Sequence, residues 1–292
     1  MGFGLLHLLS LGSLALRGEL RQGAGWATNC NQNILKQTVD RYIAAQSTGQ
    51  IEWLQKVLDS NATYLENGRT RDLRNSTMAR AIRIDRTHTL YDTTQCASFT
   101  ELVATNPADP WIIGAQIRVY NGKVTKIDRV ATTTGDWLFN ATRFLHYALL
   151  EDWTPILPAE KRDSREALQA AADAYFNHLA NRSVPVPWGY PCTRLEGGEF
   201  TGRGFANDTC ELGMPDNATM SAPNRRYVID ESVGAVSLLL DFGGPIFGNA
   251  PDSHEFRLEQ GRLKRIHTMT YCDKKPNCGL ESPYDASPDP GW

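Results

Sequence analysis

Two histidines near the carboxyl end of the chain, His254 and His267, are the side chains best suited to chemistry. Histidine gains and loses a proton near neutral pH, so a pair of histidines in one pocket indicates general acid–base catalysis. Arg194 is suited to polarising a carbonyl group or a leaving hydroxyl, and Glu196 and Asp230 are suited to orienting such donors. We therefore predict that the catalytic residues come from these five.

Metal and nucleotide chemistry have weaker support. The two histidines would begin a metal site, but no third ligand stands at the spacing of a zinc site, and no two cysteines form a C-x-x-C pair. The chain also lacks the G-x-S-x-G, H-E-x-x-H, P-loop and G-x-G-x-x-G motifs. We therefore expect no metal and no cofactor.

Strand parity predicts where these side chains point. Residues 254–270 have the pattern of two strands joined by a two-residue turn at Gln260-Gly261, and alternate residues of a strand share a face. Counting outward from the turn pairs His254 with His267 on the more apolar face, which we expect to be the core side. That face is predicted to carry His254, Phe256, Leu258, Leu263, Arg265, His267, Met269 and Tyr271.

The same pattern occurs earlier in the chain. Residues 115–131 (AQIRVYNGKVTKIDRVA) align without a gap with residues 254–270 (HEFRLEQGRLKRIHTMT), and shorter segments recur in the same order. In the earlier hairpin the turn is Asn121-Gly122, the strongest short turn signal. The sequence therefore predicts two copies of one structural unit.

The alignment also matches polar residues between the copies. Asp128 aligns with His267, and Glu66 aligns with Glu196. A titratable residue at one inward position in both copies favours a pocket, although the alternative is that each one bonds to a neighbour across the sheet. We predict that substrate is bound by Phe256, Tyr271, Trp188, Tyr175, Asp128 and Glu66.

Each copy is predicted to begin with a helix, near residues 32–46 and 164–179, and to continue into a short strand and several long strands. A helix lying on a curved antiparallel sheet encloses a cone-shaped cavity. The fold class is therefore α+β, with two tandem cone-shaped domains at residues 28–152 and 160–272. Residues 273–292 are rich in proline and glycine and form a predicted irregular tail.

The amino-terminal segment indicates export from the cell. The first 16 residues are nearly all apolar or small, so we predict a signal peptide at residues 1–27, with a short membrane anchor as the alternative. No later apolar run approaches the ~20 residues of a membrane span. The net charge of −3 gives no basic surface for nucleic acid.

Sequons and cysteines agree with secretion. Six N-x-S/T sequons predict N-glycosylation at Asn61, Asn75, Asn140, Asn181, Asn207 and Asn217. The even number of cysteines predicts disulfides among Cys30, Cys96, Cys192, Cys210, Cys272 and Cys278. The first copy holds only Cys30 and Cys96, so these pair by elimination, whereas the other four leave three connectivities open.

The order of a helix, a Leu-Glu-x-Gly strand and long strands ending in a hairpin resembles the nuclear transport factor 2-like (cystatin-like) fold. Catalytic members of that fold include scytalone dehydratase and the SnoaL-like polyketide cyclases. Residues 192–198 (CTRLEGG), 225–231 (RRYVIDE) and 265–267 (RIH) resemble a fungal secreted family with two such domains. Some relatives of this architecture are hetero-Diels–Alderases, which join a tropolone quinone methide to a humulene-type sesquiterpene in meroterpenoid biosynthesis.

The resemblance implies a cofactor-free enzyme of fungal secondary metabolism, of the cyclase or dehydratase type and most specifically a hetero-Diels–Alderase. Its partner would be a small apolar metabolite, and the chain would be a monomer or a homodimer. One alternative is a secreted glycoprotein that binds a lipid or pigment without turnover. Another is a cell-surface protein that mainly presents glycans. Fold by itself does not decide between these functions.

Overall fold

The structure is a computed structural model that describes Met1 and residues 30–153, 155–214 and 220–281. Residues 2–27 of the predicted signal peptide lie outside the described residues. The sequon at Asn217 and the last part of the predicted tail, residues 282–292, also lie outside them.

The first copy consists of a long helix and a six-stranded sheet, followed by a short connecting helix. Its elements are α1 (Gln32–Thr48), α2 (Glu52–Gln55), β1 (Leu58–Glu66), β2 (Arg69–Thr70), β3 (Arg86–Asp92), β4 (Ala97–Ala104), β5 (Trp111–Tyr120), β6 (Lys123–Thr132) and α3 (Ala141–Ala148).

The second copy repeats this order. Its elements are α4 (Arg165–Ala180), β7 (Trp188–Glu196), β8 (Glu199–Phe200), β9 (Arg226–Asp230), β10 (Ala235–Phe242), α5 (Gly244–Phe247), β11 (Ala250–Glu259) and β12 (Arg262–Thr270).

The two sheets have the same strand order. The first is β2-β1-β6-β5-β4-β3 and the second is β8-β7-β12-β11-β10-β9. The pairs β1–β6 and β7–β12 are parallel and the other pairs are antiparallel, so each sheet is mixed. The predicted fold class, α+β with two tandem helix-on-sheet units, is confirmed.

Local signals set the ends of the two long helices. The side chain of Asn31 accepts a hydrogen bond from the backbone N–H of Ile34 at 3.1 Å, which caps α1, and Gly49 ends that helix with a φ of 69°. Ser164 caps α4 in the same way by accepting from the backbone N–H of Ala167 at 3.2 Å. Both helices therefore begin where polar caps precede apolar periodicity.

Each predicted hairpin turn has two residues with positive φ. The values are 48° and 74° at Asn121 and Gly122, and 54° and 70° at Gln260 and Gly261. Two consecutive positive φ values match the handedness of the strand twist, which is why such turns join hairpins.

A β-bulge follows each turn and was not predicted. In the second hairpin Leu258 pairs with Leu263, but the next pair along β11 is Arg257 with Arg265, so Lys264 is an extra residue in β12. One extra residue reverses the side of the sheet to which every following side chain points. The first hairpin has its shift at the equivalent place.

Because of the bulge, part of each hairpin faces the opposite side of the sheet from the one predicted. His254 pairs with Thr268, while His267 pairs with Glu255 and points to the face opposite the helix. His254 and Phe256 keep their predicted side, which faces α4. The predicted orientations are wrong for Arg265, His267 and Met269 in the second copy and for Lys126, Asp128 and Val130 in the first.

The sheet faces that point away from the helices pack against each other. The contact is reciprocal: the side chain of Asp230 accepts a hydrogen bond from the backbone N–H of Tyr91 at 2.9 Å, and Asp92 accepts from that of Ile229 at 3.0 Å. Arg165 adds two hydrogen bonds to Asp92. Asp230 therefore lies in the contact between the copies, which contradicts its predicted place in a catalytic pocket.

Three disulfides join all six cysteines. Cys30 is bonded to Cys96, as predicted by elimination. The other four cysteines form one bridge within the loop-rich part of the second copy, and one that closes a short loop after β12. These bridges are Cys192–Cys210 and Cys272–Cys278.

The predicted glycosylation sites within the described residues are exposed, as attachment of a glycan requires. These are Asn61, Asn75, Asn140, Asn181 and Asn207. Among the described residues, no helix is long and apolar enough to cross a membrane.

Candidate functional site

A cavity of about 430 Å³, partly open to solvent, lies between α4 and the sheet of the second copy. Its walls are mostly apolar, with a few polar side chains, as is usual for small-molecule sites. The lining residues are Trp137, Tyr175, Leu179, Arg194, Glu196, Gly213, Met214, Met220, Phe242, Ile246, Phe247, His254, Leu280 and Glu281.

A histidine–aspartate pair stands in this cavity. The ring nitrogen Nδ1 of His254 lies 2.5 Å from Oδ1 of Asp252, whose other oxygen accepts a hydrogen bond from the hydroxyl of Thr270 at 2.6 Å. The ionised carboxylate holds the proton on Nδ1. The second ring nitrogen, Nε2, makes no hydrogen bond to any described residue, so its lone pair is free to act on a ligand.

Asp252 was missed in the sequence. It stands two residues before His254 on β11, and residues two apart on a strand share a face. The D-x-H spacing was therefore an available signal. Asp252 and His254 are 0% and 3% exposed, so the pair is shielded from bulk water.

Aromatic rings surround His254. The ring centroids of Phe176, Tyr175 and Phe242 lie 4.8, 5.6 and 5.8 Å from that of His254, and Phe256 stacks on it at 5.8 Å. Phe256 itself is fully buried in the core beneath α4, so it shapes the position of the histidine and does not line the cavity. An apolar shell strengthens electrostatic interactions inside it.

Arg194 donates hydrogen bonds to the loop that follows β8. Its two terminal nitrogens donate to the backbone carbonyls of Cys210 and Leu212, each at 2.6 Å, and its Nε lies 3.2 Å from Oε2 of Glu196. Arg194 therefore holds the loop after β8 over the cavity. Arg194 also lines the cavity, so its predicted role in polarising a substrate oxygen stays a prediction.

Glu196 joins the cavity to the chain segment between the two copies. Its Oε1 accepts a hydrogen bond from the indole N–H of Trp137 at 2.7 Å. Gly197, next in the chain, has a φ of 63° and lies so close to Trp137 that a Cβ would meet its carbonyl oxygen at 2.4 Å. The Gly-Gly turn thus lets a residue from outside the second copy form one wall of its cavity.

Tyr175 supplies a hydroxyl to the same cavity. Burial raises the pKa of this phenol to about 12, so the hydroxyl stays protonated at neutral pH and is a hydrogen-bond donor. Trp188, predicted to bind substrate, packs edge-on against Tyr175 with ring centroids 6.0 Å apart and is absent from the cavity lining.

His267 lies outside the cavity, in the contact between the two sheets. Its Nδ1 is 2.9 Å from Oε2 of Glu101 and its Nε2 is 2.7 Å from Oε2 of Glu151. Burial alone lowers the pKa of His267, but the two carboxylates outweigh it and raise the pKa to about 10. Both nitrogens are occupied and the ring is 1% exposed, so the predicted catalytic role of His267 is contradicted.

Two predicted substrate-binding residues also lie away from the second cavity. Asp128 forms ion pairs with Lys126 at 3.1 Å and with Arg226 of the second copy at 2.9 Å, so it belongs to the contact between the copies. Tyr271 lines a cavity of about 400 Å³ in the first copy, and its hydroxyl is 3.3 Å from Oδ1 of Asp273.

The polar side chains around Glu66, which lines the first cavity, differ from those of the second copy. Glu66 accepts hydrogen bonds from the hydroxyls of Tyr64 and Thr77, each at 2.5 Å. Arg129 is fully buried, and its guanidinium lies 5.7 Å from the ring centroid of Tyr42 and 6.0 Å from that of Tyr64. Glu66 lines the same cavity as Tyr271, at the boundary between the first copy and the residues after β12, and its predicted contact with substrate stays a prediction.

The histidine–aspartate pair belongs to the second copy alone. The aligned positions of the first copy hold Ala115 in place of His254 and Ile113 in place of Asp252. Both are fully buried in the first core. Of the two cavities, only the second has a side chain suited to proton transfer near neutral pH.

Comparisons with known proteins find matches to parts of the chain. Residues 161–270 match a family model described as "Domain of unknown function (DUF8021)". No curated protein matches the chain.

Several solved structures are similar to parts of the chain. An NTF-2 like protein of unknown function from Burkholderia xenovorans is 13% identical, over 36% of this chain and 87% of its own, with a TM-score of 0.29. A putative isomerase from Rhodopseudomonas palustris is 19% identical, over 33% and 90%, with a TM-score of 0.25. The de novo designed NTF2 fold protein NT-9 is 20% identical, over 36% and 87%, with a TM-score of 0.27.

Proposed function

We propose that the protein is a cofactor-free enzyme that performs acid–base chemistry on a small, largely apolar metabolite in the cavity of the second copy. One observation carries the proposal: the Asp252–His254 pair leaves Nε2 free at a cavity that is partly open to solvent and has mostly apolar walls. A buried ring needs a partner for each of its polar atoms, and Nε2 has none among the described residues, so it is open to a ligand in the cavity.

The pair provides a base and then an acid. Asp252 keeps the proton of His254 on Nδ1, so Nε2 accepts a proton from the substrate and the carboxylate stabilises the imidazolium that forms. The imidazolium then returns the proton to a leaving oxygen. Tyr175 is placed to donate a hydrogen bond to a substrate oxygen on which negative charge develops.

The sharpest form of the proposal is a hetero-Diels–Alder reaction that begins with a dehydration. Loss of water from a hydroxymethyl-tropolone breaks the C–O bond of the hydroxymethyl group. Nε2 of His254 takes the proton of the ring hydroxyl, and the imidazolium then gives that proton to the hydroxymethyl oxygen, which leaves as water. The products are a neutral quinone methide, water and His254 in its original state. A humulene-type alkene then adds across the quinone methide. The apolar walls and the sequence resemblance support this form, because a dry cavity holds two apolar partners together.

The test uses the glycosylated, oxidised protein incubated with hydroxymethyl-tropolone and humulenol. The expected result is enzyme-dependent formation of the adduct, detected by mass spectrometry, and its loss in His254→Gln with an unchanged melting temperature. Tyr42→Phe is the matched control, since Tyr42 occupies the position of Tyr175 in the first copy and its replacement should leave turnover intact.

Two outcomes would refute the catalytic proposal. One is adduct formation in His254→Gln at the rate of the unmodified protein. The other is the absence of turnover together with an apolar molecule that co-purifies equally with both proteins, which would favour a binding function instead.

A further inference from the structure

A cluster of ionisable side chains is buried between the two sheets, on the face opposite both cavities. Glu101 on β4, Glu255 on β11 and His267 on β12 each place one potential ligand atom within 4.8 Å of the others. Their exposed fractions are 0%, 1% and 1%. The first residue comes from one copy and the other two from the second, so the cluster exists only where the sheets meet.

Each of these three residues is held by a further side chain behind it. Arg86 donates to Oε1 of Glu101, Nε2 of His88 lies 2.8 Å from Oε1 of Glu255, and Glu151 binds Nε2 of His267. Such an outer layer is characteristic of metal sites, where a carboxylate on the far nitrogen of a histidine fixes the orientation of the ring.

One atom of the cluster has no partner. Oε2 of Glu255 is buried and makes no hydrogen bond to any residue that the structure describes. A buried carboxylate oxygen without a donor is costly, and a cation satisfies it without needing a further hydrogen bond.

We propose that Glu101, Glu255 and His267 bind one divalent transition-metal ion that joins the two copies. Two carboxylates and one imidazole suit Zn²⁺, which accepts mixed oxygen and nitrogen ligands. In the absence of the ion, a proton between Nδ1 of His267 and Oε2 of Glu101, 2.9 Å apart, takes its place. Sequence analysis found no third ligand for a metal because the missing carboxylates come from the opposite sheet and from the face that parity assigned to solvent.

The role of the ion is structural. It would tie β4 of the first copy to β11 and β12 of the second at a point where the side chains are shielded from water. The site does not depend on the proposed enzymatic function, because His254 lies on the other face of the second sheet and faces α4.

The experiment uses the full-length oxidised protein after dialysis against a chelator. Calorimetric titration with ZnCl₂ is expected to show one ion per chain. Free Zn²⁺ at 100 times the Kd raises the ratio of folded to unfolded protein about 100-fold, which should increase the melting temperature by several degrees.

Variants assign the binding to the cluster. Glu255→Gln keeps the shape of the side chain but removes its charge, and it should weaken Zn²⁺ binding at least tenfold. At the same Zn²⁺ concentration the increase in melting temperature should then fall to about half or less. Glu52→Gln, at an exposed position on α2, is the matched control and should bind like the unmodified protein. A second variant, His267→Gln, should show the same loss as Glu255→Gln.

The proposal is overturned if no ion binds at a one-to-one ratio, or if Glu255→Gln binds Zn²⁺ as tightly as Glu52→Gln. It is also overturned if binding is lost in His254→Gln and retained in Glu255→Gln, since the ion would then occupy the cavity of the second copy.

Discussion

Replacing Asp252 with asparagine tests whether the cavity of the second copy depends on a charged partner for His254. The carboxylate is fully buried and lies 2.5 Å from Nδ1 of the histidine. A hydrogen bond to a charged group is worth about 1.5–3 kcal/mol. The bond to Asp252 is strongest when His254 carries the extra proton. Its loss therefore raises the free energy of the transition state more than that of the bound substrate.

The expected loss in rate follows from that energy. At 1.36 kcal/mol for each factor of ten, a loss of about 1.5–3 kcal/mol lowers kcat about 10- to 150-fold. Thr270 decides whether the loss stays in this range. Its hydroxyl lies 2.6 Å from Oδ2 of Asp252, so it offers a partner to the new amide nitrogen and leaves the amide oxygen facing His254. If the amide turned the other way, the proton would move to Nε2 and the loss would approach 10⁴-fold.

The assay measures kcat and KM for formation of the tropolone adduct, together with the melting temperature of each variant. Asp230→Asn is the control, because Asp230 is 5% exposed but lies in the contact between the copies. It should lower the melting temperature without changing kcat. A kcat for Asp252→Asn within threefold of the unmodified protein, or equal losses in both variants, would refute the assignment of the pair to catalysis.

Three further predictions concern stability. In chelator-treated protein, Glu101 has its pKa lowered from 4.5 to about 2, mainly by His267 acting against burial, so its stabilising effect is lost as the pH falls from 4.5 towards 2. The pKa of His267 is raised from 6.5 to about 10, so its effect is lost as the pH rises from 6.5 towards 10. Urea unfolding should therefore show the largest difference between the unmodified protein and Glu101→Gln between pH 4.5 and 6.5, and a difference independent of pH would contradict the ion pairing. Gly197→Ala should lower the free energy of unfolding by more than about 1 kcal/mol, measured as a lower urea midpoint, because the new Cβ meets a carbonyl oxygen at 2.4 Å. An unchanged midpoint would show that the segment around Trp137 is not tightly packed there. Replacing Cys192 and Cys210 together with serine opens a bridge of sequence separation 18 and should cost about 3 kcal/mol, measured by calorimetry, whereas a cost near zero would show that the loop stays ordered without it.

Much of the fold was predictable because its signals are local. The internal repeat, the caps of α1 and α4, and the turns at Asn121-Gly122 and Gln260-Gly261 each depend on residues close together in the chain. Such signals do not depend on which element packs against which. They were therefore sufficient for the fold class and for the Cys30–Cys96 bridge, where only one partner was left.

The site was harder to predict because one unrecognised bulge reverses the predicted face of every residue that follows it in the strand. A single extra residue at Lys264 moved His267 from the cavity to the contact between the sheets. Nothing in the local pattern marks that position as a bulge, since the residues on both sides alternate as in a regular strand. The partners of His267, Glu101 and Glu151, lie more than 100 positions earlier in the chain and are brought to it only by the packing of the two copies.

The two copies differ in which strand carries their buried arginine. Both retain a helix tyrosine and a strand glutamate, but the arginine comes from different strands: Arg129 from β6 in the first copy and Arg194 from β7 in the second. Moving the arginine to β7 leaves Thr268 at the position of Arg129, beside His254 instead of a bulky cation.

That exchange explains why the second cavity alone can hold a histidine. In the first copy the buried guanidinium of Arg129 occupies the space over the ring of Tyr42, and a second cation beside it would be repelled. In the second copy the hydroxyl of Thr268 lies 3.2 Å from Nδ1 of His254, and Arg194 is directed into the loop by two carbonyl groups. An imidazolium formed at His254 would therefore be balanced by Asp252. Of the two cavities, both formed by described residues, the one in the second copy therefore contains the histidine that the proposed acid–base chemistry needs.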